Sequence, residues 1–400
     1  MASVCFYFQV HQPFRLRRFS IFDRGADYFD DHQNTELLRR IATKCYLPAN
    51  AVLFELIKRF EGRFRVAFSL SGVVIEQFKK YMPELLTSFQ KLAETGAVEF
   101  LAETYHHSLS FLYSRDEFAT QVRMHRKLIQ DCFGQTPKVF RNTELIYNNE
   151  LARTIADMGH TVVLCEGADH ILGPREPTYI YTAPDLPGVR LLLKNYRLSD
   201  DIAFRFSDQG WAEYPLTPEK FANWVNQVHG DGYVVNLFMD YETFGEHQWA
   251  ETGIFDFLRE LPEAVFRLPD NDFKTPGECA DTYPPSGEYD VPHMISWADA
   301  ERDLSAWLGN AMQSNALHEL YRIESQVKKT GDKALIADWR KLQTSDHFYY
   351  MCTKHYGDGT VHKHFNPYDS PYDSFINFMN VLDHLRGRLG QPKTSAAASH

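Results

Sequence analysis

Residues 232–246 read GYVVNLFMDYETFGE. The first eight positions, 232–239, form the most apolar strand-like run of the chain, and Asp240, Glu242 and Glu246 follow it in quick succession. A strand with one face in water alternates apolar and polar residues; a run that is apolar throughout suits a parallel strand covered on both faces. The same grammar extends outward from this segment. Residues 4–10 (VCFYFQV) read as a strand that ends at His11-Gln12-Pro13, where proline stops ladder pairing. Residues 64–70 (FRVAFSL), 98–102 (VEFLA), 138–140 and 161–164 (TVVL) read as further strands. Between them, residues 51–60, 81–94, 117–133, 150–158 and 220–228 carry apolar positions at helical spacing, with Gly159 placed as a C-cap. Alternating strands and helices imply an α/β chain with a parallel sheet, a β/α barrel first and an open doubly wound sheet second. In either architecture the chemistry sits at the carboxyl ends of strands, and His11, Gln12, Glu99, Glu144 and Asp240 are all read at or just after such ends.

A chain of 400 residues, 44% hydrophobic, has enough apolar side chain for a large core and suits one barrel plus a second module. The formal net charge of −11 repels phosphate backbones and anionic lipid, so neither nucleic acid nor a membrane surface is expected as a partner. No stretch approaches the roughly 18 apolar residues of a membrane span, and the amino-terminal apolar run is too short for a signal peptide. Six scattered cysteines without a CxxC pair fit neither a zinc cluster nor a disulfide framework, so free thiols and a cytoplasmic setting are expected. Aromatic residues make up 14% of the chain; most belong to core packing, and some could stack on the apolar faces of sugar rings. The expected organisation is a catalytic β/α barrel over 1–265, a Pro-, Gly- and acid-rich connecting loop over 266–295, a C-terminal helical region over 296–390 completing the active-site cleft, and a disordered tail over 391–400. Within the C-terminal region, 298–313, 317–350 and 374–389 read as long helices.

Five segments carry candidate chemistry. His11 and Gln12 could hydrogen-bond a sugar hydroxyl or simply form a tight turn. Residues 98–109 (VEFLAETYHHSL) place Glu99 and Glu103 around a strand end with His106 and His107 behind them. Adjacent histidines on an extended chain point apart and make a poor metal pair, so sugar contact or support of other site residues is favoured over a metal. Residues 140–147 (FRNTELIY) set Glu144 beside Arg141, whose guanidinium favours the charged carboxylate that a nucleophile requires. Asp240 has apolar surroundings and acidic neighbours, both of which raise a carboxyl pKa and suit a proton donor. Residues 296–313 (SWADAERDLSAWLGNAMQ) mix Trp297 and Trp307 with Asp303, read equally well as helix packing or as a sugar platform.

Taken in order, these segments resemble family 57 of the glycoside hydrolases, within its α-amylase-like group. His11-Gln12-Pro13, 96–100 (GAVEF), 140–147, 239–247 (MDYETFGEH) and 297–307 are similar to that family's five short sequence regions, and 366–374 (NPYDSPYDS) resembles a C-terminal feature of the α-amylase-like members. The resemblance spans roughly residues 4 to 385. It implies a distorted seven-stranded β/α barrel followed by a C-terminal helical module, and a retaining double displacement on α-1,4-glucans. By position Glu144 matches the nucleophile and Asp240 the general acid/base, which in a retaining enzyme stand roughly 5–5.5 Å apart. His11, Glu99, Asp303 and Trp307 match positions lining the donor side; Gln12, Arg141, Glu242 and Trp297 join them as candidate substrate contacts. No cofactor and no metal is expected, and the partner is an α-glucan oligo- or polysaccharide. The chain departs from the family pattern at Ala97, where Gln or Glu is usual, and around Glu144, where a Trp-Leu-Thr-Glu-Arg order is frequent. Three rival readings are another activity on the same scaffold (4-α-glucanotransferase, branching enzyme or α-galactosidase), a metal-dependent deacetylase or mannosidase using His11, His106 and His107, and a glycan-binding protein without catalysis.

Overall fold

The computed structural model describes residues 2–354 and 366–389. Among the described residues ten strands follow in chain order: β1 (Ser3–Val10), β2 (Val66–Leu70), β3 (Val98–Phe100), β4 (Val139–Arg141), β5 (Val162–Glu166), β6 (Ile180–Ala183), β7 (Leu186–Lys194), β8 (Val234–Asp240), β9 (Asp272–Phe273) and β10 (Pro285–Glu288). One sheet has the order β3-β2-β1-β8, with β9 alongside the start of β1; the other has the order β10-β6-β7-β5-β4. All pairings are parallel except β6 with β7. The apolar run 232–239 supplies β8, buried along its length up to the part-exposed Asp240. It pairs with β1, every residue of which is buried.

Backbone bonds also pass between the two sheets. Ala102, just after β3, bridges Phe140 of β4, with Ala102 N–H donating to the Val139 carbonyl at 2.9 Å and Arg141 N–H to the Ala102 carbonyl at 2.8 Å. Past the end of β7, Asn195 N–H donates to the Asn236 carbonyl of β8 at 3.0 Å, and the Asn236 amide returns a bond to the Leu193 carbonyl at 2.8 Å. One apolar cluster draws Cys5, Tyr7, Ala67 and Phe238 from the first sheet and Val139, Val162, Leu164 and Leu192 from the second, with Cys279 and Ala280 of the helix Pro276–Thr282 packed against them. Fully burying each Val, Leu or Phe contributes about 1.5–3 kcal/mol, so this shared cluster helps hold the two sheets together.

Contacts divide the chain into two compact units, one comprising residues 2–12, 34–107 and 116–304, the other 13–33, 108–115 and the described residues from 305 on. Residues 13–33 and 108–115, expected inside the barrel region, thus cluster with the C-terminal helices. In that second unit Tyr28 bonds His384 at 2.8 Å, and Phe19 N–H donates to the Asn377 side chain at 2.7 Å, both partners lying on the helix Pro371–Leu389. The buried Trp339 indole donates to the Leu320 carbonyl at 2.9 Å.

Three expectations are corrected. Residues 266–295 are not a plain connecting loop: they hold β9, the helix Pro276–Thr282 and β10. A Thr275/Glu278 capping box and Pro276 in the first turn start that helix inside what composition marks as loop. Residues 298–313 are not one helix, because Asp299 and Arg302 adopt left-handed backbone (φ 53° each) and helix begins only at Ser305 and again at Ala311. Residues 317–350 are four helices, broken at Ile323, at Gly331 (φ 60°) and before the Thr344 N-cap. Residues 165–219, where the sequence reading places no element, contain the antiparallel pair β6–β7; Pro187 and Gly188 at the start of β7 hide its strand character. The expected tail, 391–400, lies outside the described residues. Among the described residues no helix is long and apolar enough to cross a membrane.

Candidate active site

The carboxyl ends of the parallel strands bring polar and charged side chains to one level. Gln9, next to the last residue of β1, has Ser69 of β2 and Asp240 of β8 as its register partners. β4 ends in Arg141 and leads to Glu144, while Glu166 of β5 pairs with Lys194 of β7. Glu103 follows β3. Apart from the uncharged Gln9 and Ser69, each is a charged residue at or soon after the end of an apolar strand.

Glu144 sits in a tight turn after β4. Glu144 and Leu145 both have left-handed backbone (φ 58° and 51°), a conformation costing non-glycine residues roughly 1–2 kcal/mol each. Burial of the Leu145 side chain and bonds from Leu145 N–H to the Asn142 carbonyl (3.0 Å) and from the Asn142 amide to the Ile146 carbonyl (3.0 Å) hold the turn closed. Each carboxylate oxygen then has its own partner. His107 Nε2 lies 3.1 Å from Oε1, and the Trp297 indole N–H donates to Oε2 at 2.8 Å. The Trp297 backbone N–H donates to the Glu144 carbonyl at 3.2 Å.

His107 is clamped between two acids, with Nδ1 2.8 Å from Glu103 Oε2. Glu103 is fully buried and also accepts from Ser69 Oγ at 2.6 Å. Burial opposes charge on the His107 ring, but the bonds to Glu103 and Glu144 prevail and lift its pKa to about 9. Burial likewise opposes charge on Glu103, and His107 overrides it, bringing that carboxyl down to about 2. Glu144 follows the same logic: burial raises its pKa, while His107, Arg141 and the Trp297 N–H together leave it below the ordinary carboxylate value. His107 therefore carries a proton near neutrality and both flanking acids are charged.

Asp240 is the counterpart. Burial and the negative charge of Glu144 push it up to about 6, opposed by Arg141, Lys194 and His107. Its carboxyl meets no hydrogen-bond partner among the described residues. Two residues on, Glu242 is buried, accepts from the Gln12 amide at 3.0 Å and from the Tyr46 hydroxyl, and is raised to about 8 by burial and by Asp240. One carboxyl is thus held charged while the acids beside it are driven toward the neutral form, which is the separation that acid–base chemistry on a single substrate demands.

The remaining expected residues divide. His11 joins the cluster: its ring stacks on His107 (centroids 4.0 Å apart) and its Nδ1 lies 2.7 Å from Ser71 Oγ. Gln12 is buried on Glu242. Arg141 is fully buried, with its guanidinium 4.8 Å from the Trp297 ring centroid, and its charge lowers the pKa of both Glu144 and Asp240. Glu99 is not brought to the site. Its register partner is Ala67, two residues short of Ser69, and its carboxylate accepts from Gly277 N–H at 2.9 Å at the start of the helix Pro276–Thr282. Trp307, 1% exposed, lies in the second unit with its ring 6.1 Å from that of Tyr349, so it is a packing residue there. Asp303 is exposed, and its backbone carbonyl accepts from Ser296 Oγ at 2.6 Å. Sequence reasoning passed over Glu166, Lys194 and Arg302, although VVLCE and LLLK show the same charged residue after an apolar strand that marked Asp240. No group of three or more His, Cys, Asp or Glu is arranged to hold a metal ion among the described residues.

A charged carboxylate facing a raised one at the strand ends of an α/β fold is equipment for transferring a glycosyl group through acid–base and nucleophilic steps. The chain belongs to glycosyl hydrolase family 57, whose description matches residues 5–292. A Methanocaldococcus jannaschii protein named "Putative alpha-amylase" is 43% identical over 394 residues, covering 95% of this chain and 83% of that protein. Among solved structures, a GH57 branching enzyme of Thermococcus kodakaraensis has a TM-score of 0.69 at 15% identity, covering 97% of this chain and 90% of the other. The 4-alpha-glucanotransferase of Thermococcus litoralis gives 0.68 at 16% identity, covering 87% of this chain and 56% of the other. The fold is accordingly the α/β fold of family 57 enzymes.

Proposed function

We propose that this enzyme hydrolyses α-1,4-glucans such as starch or glycogen with retention, through Glu144 as nucleophile and Asp240 as general acid/base. The observation that carries the reading is the unequal treatment of the two acids: Glu144 is fixed and charged by His107 and Trp297, while Asp240 is raised to about 6 with its carboxyl unengaged. In the first step a Glu144 oxygen attacks the anomeric carbon, the glycosidic C–O bond breaks, and Asp240 gives its proton to the departing oxygen. In the second, water attacks the same carbon, its proton passes to Asp240, and the bond to Glu144 breaks. His11 and Trp297 line the substrate side, and Glu242, held by Gln12 and Tyr46, supports Asp240 from behind.

We further read β1-β2-β3-β4-β5-β7-β8 as one distorted seven-stranded barrel, supported by the Ala102–Phe140 bridge and the Asn195–Asn236 bond that join the two sheets. The helices from Ala311 to Leu389 form the C-terminal module. Four buried free thiols, Cys5, Cys45, Cys165 and Cys279, suit a reducing compartment and hence a cytoplasmic enzyme.

The test is product analysis with maltoheptaose and soluble starch for wild type, Glu144→Gln and Asp240→Asn. Both variants should lose nearly all activity, and wild type should yield only shorter chains. Longer chains would reassign the enzyme to transfer; wild-type activity in either variant would overturn the residue assignment.

A further inference from the structure

The indole of Trp297 reaches Glu144 from a loop, residues 296–304, that has no regular secondary structure. Two of its residues, Asp299 and Arg302, adopt left-handed backbone, which persists only where surrounding contacts over-determine it. Within the loop, Ser296 N–H donates to the Arg302 carbonyl (3.1 Å) and Ala298 N–H to Ser296 Oγ (3.2 Å). These bonds shape the loop, and its start is tied to the turn after β4 by the paired Ile295 and Tyr147 (3.0 Å in both directions) and by the Trp297 N–H on the Glu144 carbonyl (3.2 Å).

Arg302 adds a second tie, to the end of β5. Its Nη1 donates to the Trp297 carbonyl at 2.6 Å, and the same nitrogen lies 3.7 Å from Glu166 at the end of β5. Its Nη2 lies 3.9 Å from Asp200 at the end of the helix Tyr196–Asp200, and its guanidinium stands 4.7 Å from the Tyr196 ring centroid. The side chain is only 14% exposed and Glu166 is fully buried, so the pairing with Glu166 is poorly screened. A planar fork that bonds a carbonyl while facing two carboxylates is a task for arginine and not for lysine, whose single ammonium cannot reach all three.

We propose that Arg302 is a positioning residue of the reaction: pinned to Glu166 and Asp200, it fixes the Trp297 loop so that the indole N–H stays on Glu144. The inference rests on the reading of Glu144 as nucleophile. The charged and titratable groups around this arrangement are His107, Arg141 and Asp240 facing Glu144, Arg141 and Lys194 (5.2 Å from the ring centroid) facing Trp297, and Glu166, Asp200 and Tyr196 facing Arg302. The Trp297 N–H is one of the groups keeping Glu144 ionised, so releasing the loop moves the acid limb of kcat/KM to higher pH.

The experiment compares Arg302→Met, Arg302→Lys and Trp297→Phe with wild type on maltoheptaose across pH. Because Arg302→Met leaves the buried Glu166 without this cation, Arg302→Met/Glu166→Gln serves as a variant with both charges removed. Loss of one bond to a charged group predicts a fall in kcat of about tenfold for Arg302→Met, with KM changed less than about twofold. The acid limb should shift upward as it does in Trp297→Phe. Arg302→Lys should recover only part of kcat, and adding Arg302→Met to Trp297→Phe should cause little further loss, since both act through one bond. An acid limb at the wild-type position in folded Arg302→Met/Glu166→Gln, or losses that simply add in the Arg302→Met/Trp297→Phe combination, overturns the proposal. Full activity in Glu144→Gln is a different result and removes the reading on which the proposal stands.

Discussion

Replacing His107 by glutamine takes one positive charge out of the centre of the site while keeping a hydrogen-bond donor of similar reach. The imidazolium lies 3.1 Å from Glu144. Two unit charges at that separation attract by roughly 5 kcal/mol at an effective dielectric of about 20, and measured cation–carboxylate neighbours lower a carboxyl by about 1–3 pKa units. Glutamine still donates to Glu144, so we expect the acid limb of kcat/KM to rise by about 1–2 pH units. The basic limb, which the proposed assignment gives to Asp240 near 6, should rise less, because His107 lowers that residue less than Arg141 and Lys194 do. The bell therefore moves to higher pH and narrows. Stability gives an independent check. His107 rises from its usual 6.5 to about 9 on folding, so its stabilisation is complete below pH 6.5 and disappears as pH climbs through 9; the size is about 3 kcal/mol. Glu103, lowered to about 2, reports the same ion pair from the other side and is not counted again. The variant should melt well below wild type at pH 6 and approach it at pH 9.5. The assays are kcat/KM on maltoheptaose from pH 4 to 9 and thermal unfolding at both pH values. An unmoved acid limb together with an equal melting deficit at both pH values would refute the idea that His107 acts as a charge.

Three other substitutions have distinct outcomes. Glu242 is raised to about 8, so the native state must hold a proton that the unfolded chain releases above its usual 4.5; Glu242→Gln removes this penalty and should raise Tm at pH 8 relative to wild type, measured by calorimetry, while a lower Tm there contradicts the protonated reading. Trp307→Ala should cost about 3–5 kcal/mol in urea unfolding, with KM for maltoheptaose unchanged in the folded enzyme, since the ring is buried in the second unit. Gly245→Ala places a Cβ 2.0 Å from the Lys44 carbonyl oxygen at φ 116°, so it should be strongly destabilising and lower soluble yield and Tm together.

What could be read from sequence, and what could not, follows from how far each feature depends on distant chain. Strands such as β1 and β8 announce themselves because burial on both faces makes every position apolar, and the residues after them inherit a place at the carboxyl edge. That, together with the family resemblance, is what made Glu144 and Asp240 candidates, and it placed His11 and Gln12 at the same edge. Glu99 misled because a strand-end estimate two residues off changes the level of the sheet: it is Glu103 that reaches the site, and Glu99 that caps a helix 178 positions away in sequence. Trp307 misled because a tryptophan on a helix has the same signature whether it packs or binds. The partnership of Trp297 and Arg302 with Glu144 and Glu166 was illegible for a different reason. It depends on two left-handed residues in a loop whose composition reads as helix, and no local pattern encodes where such a loop lands.

The contrast between the two central acids bears on how the roles divide. Glu144 is fixed by three separate stretches of chain: its own strained turn, His107 after β3, and Trp297 from the 296–304 loop. A nucleophile forms a bond along one line, so each constraint that removes an alternative orientation before the substrate arrives removes an entropic cost from the barrier. The strain of two left-handed residues is of the same order as one charged hydrogen bond, and the turn has both oxygens bonded to offset it. Asp240 needs the opposite. In the proposed role it presents a proton to the departing oxygen and then collects one from water on the same side of the ring, and a carboxyl already committed to fixed donors would do both poorly. Its pKa is accordingly set at a distance, by burial and by the charges of Glu144, Arg141, Lys194 and His107, leaving its oxygens free for the reaction. Part of what raises Asp240, after burial, is the charge of Glu144 itself; in the double displacement proposed above, an uncharged Glu144 ester would let the pKa of Asp240 fall, so that the acid of the first step is ready to serve the second as a base.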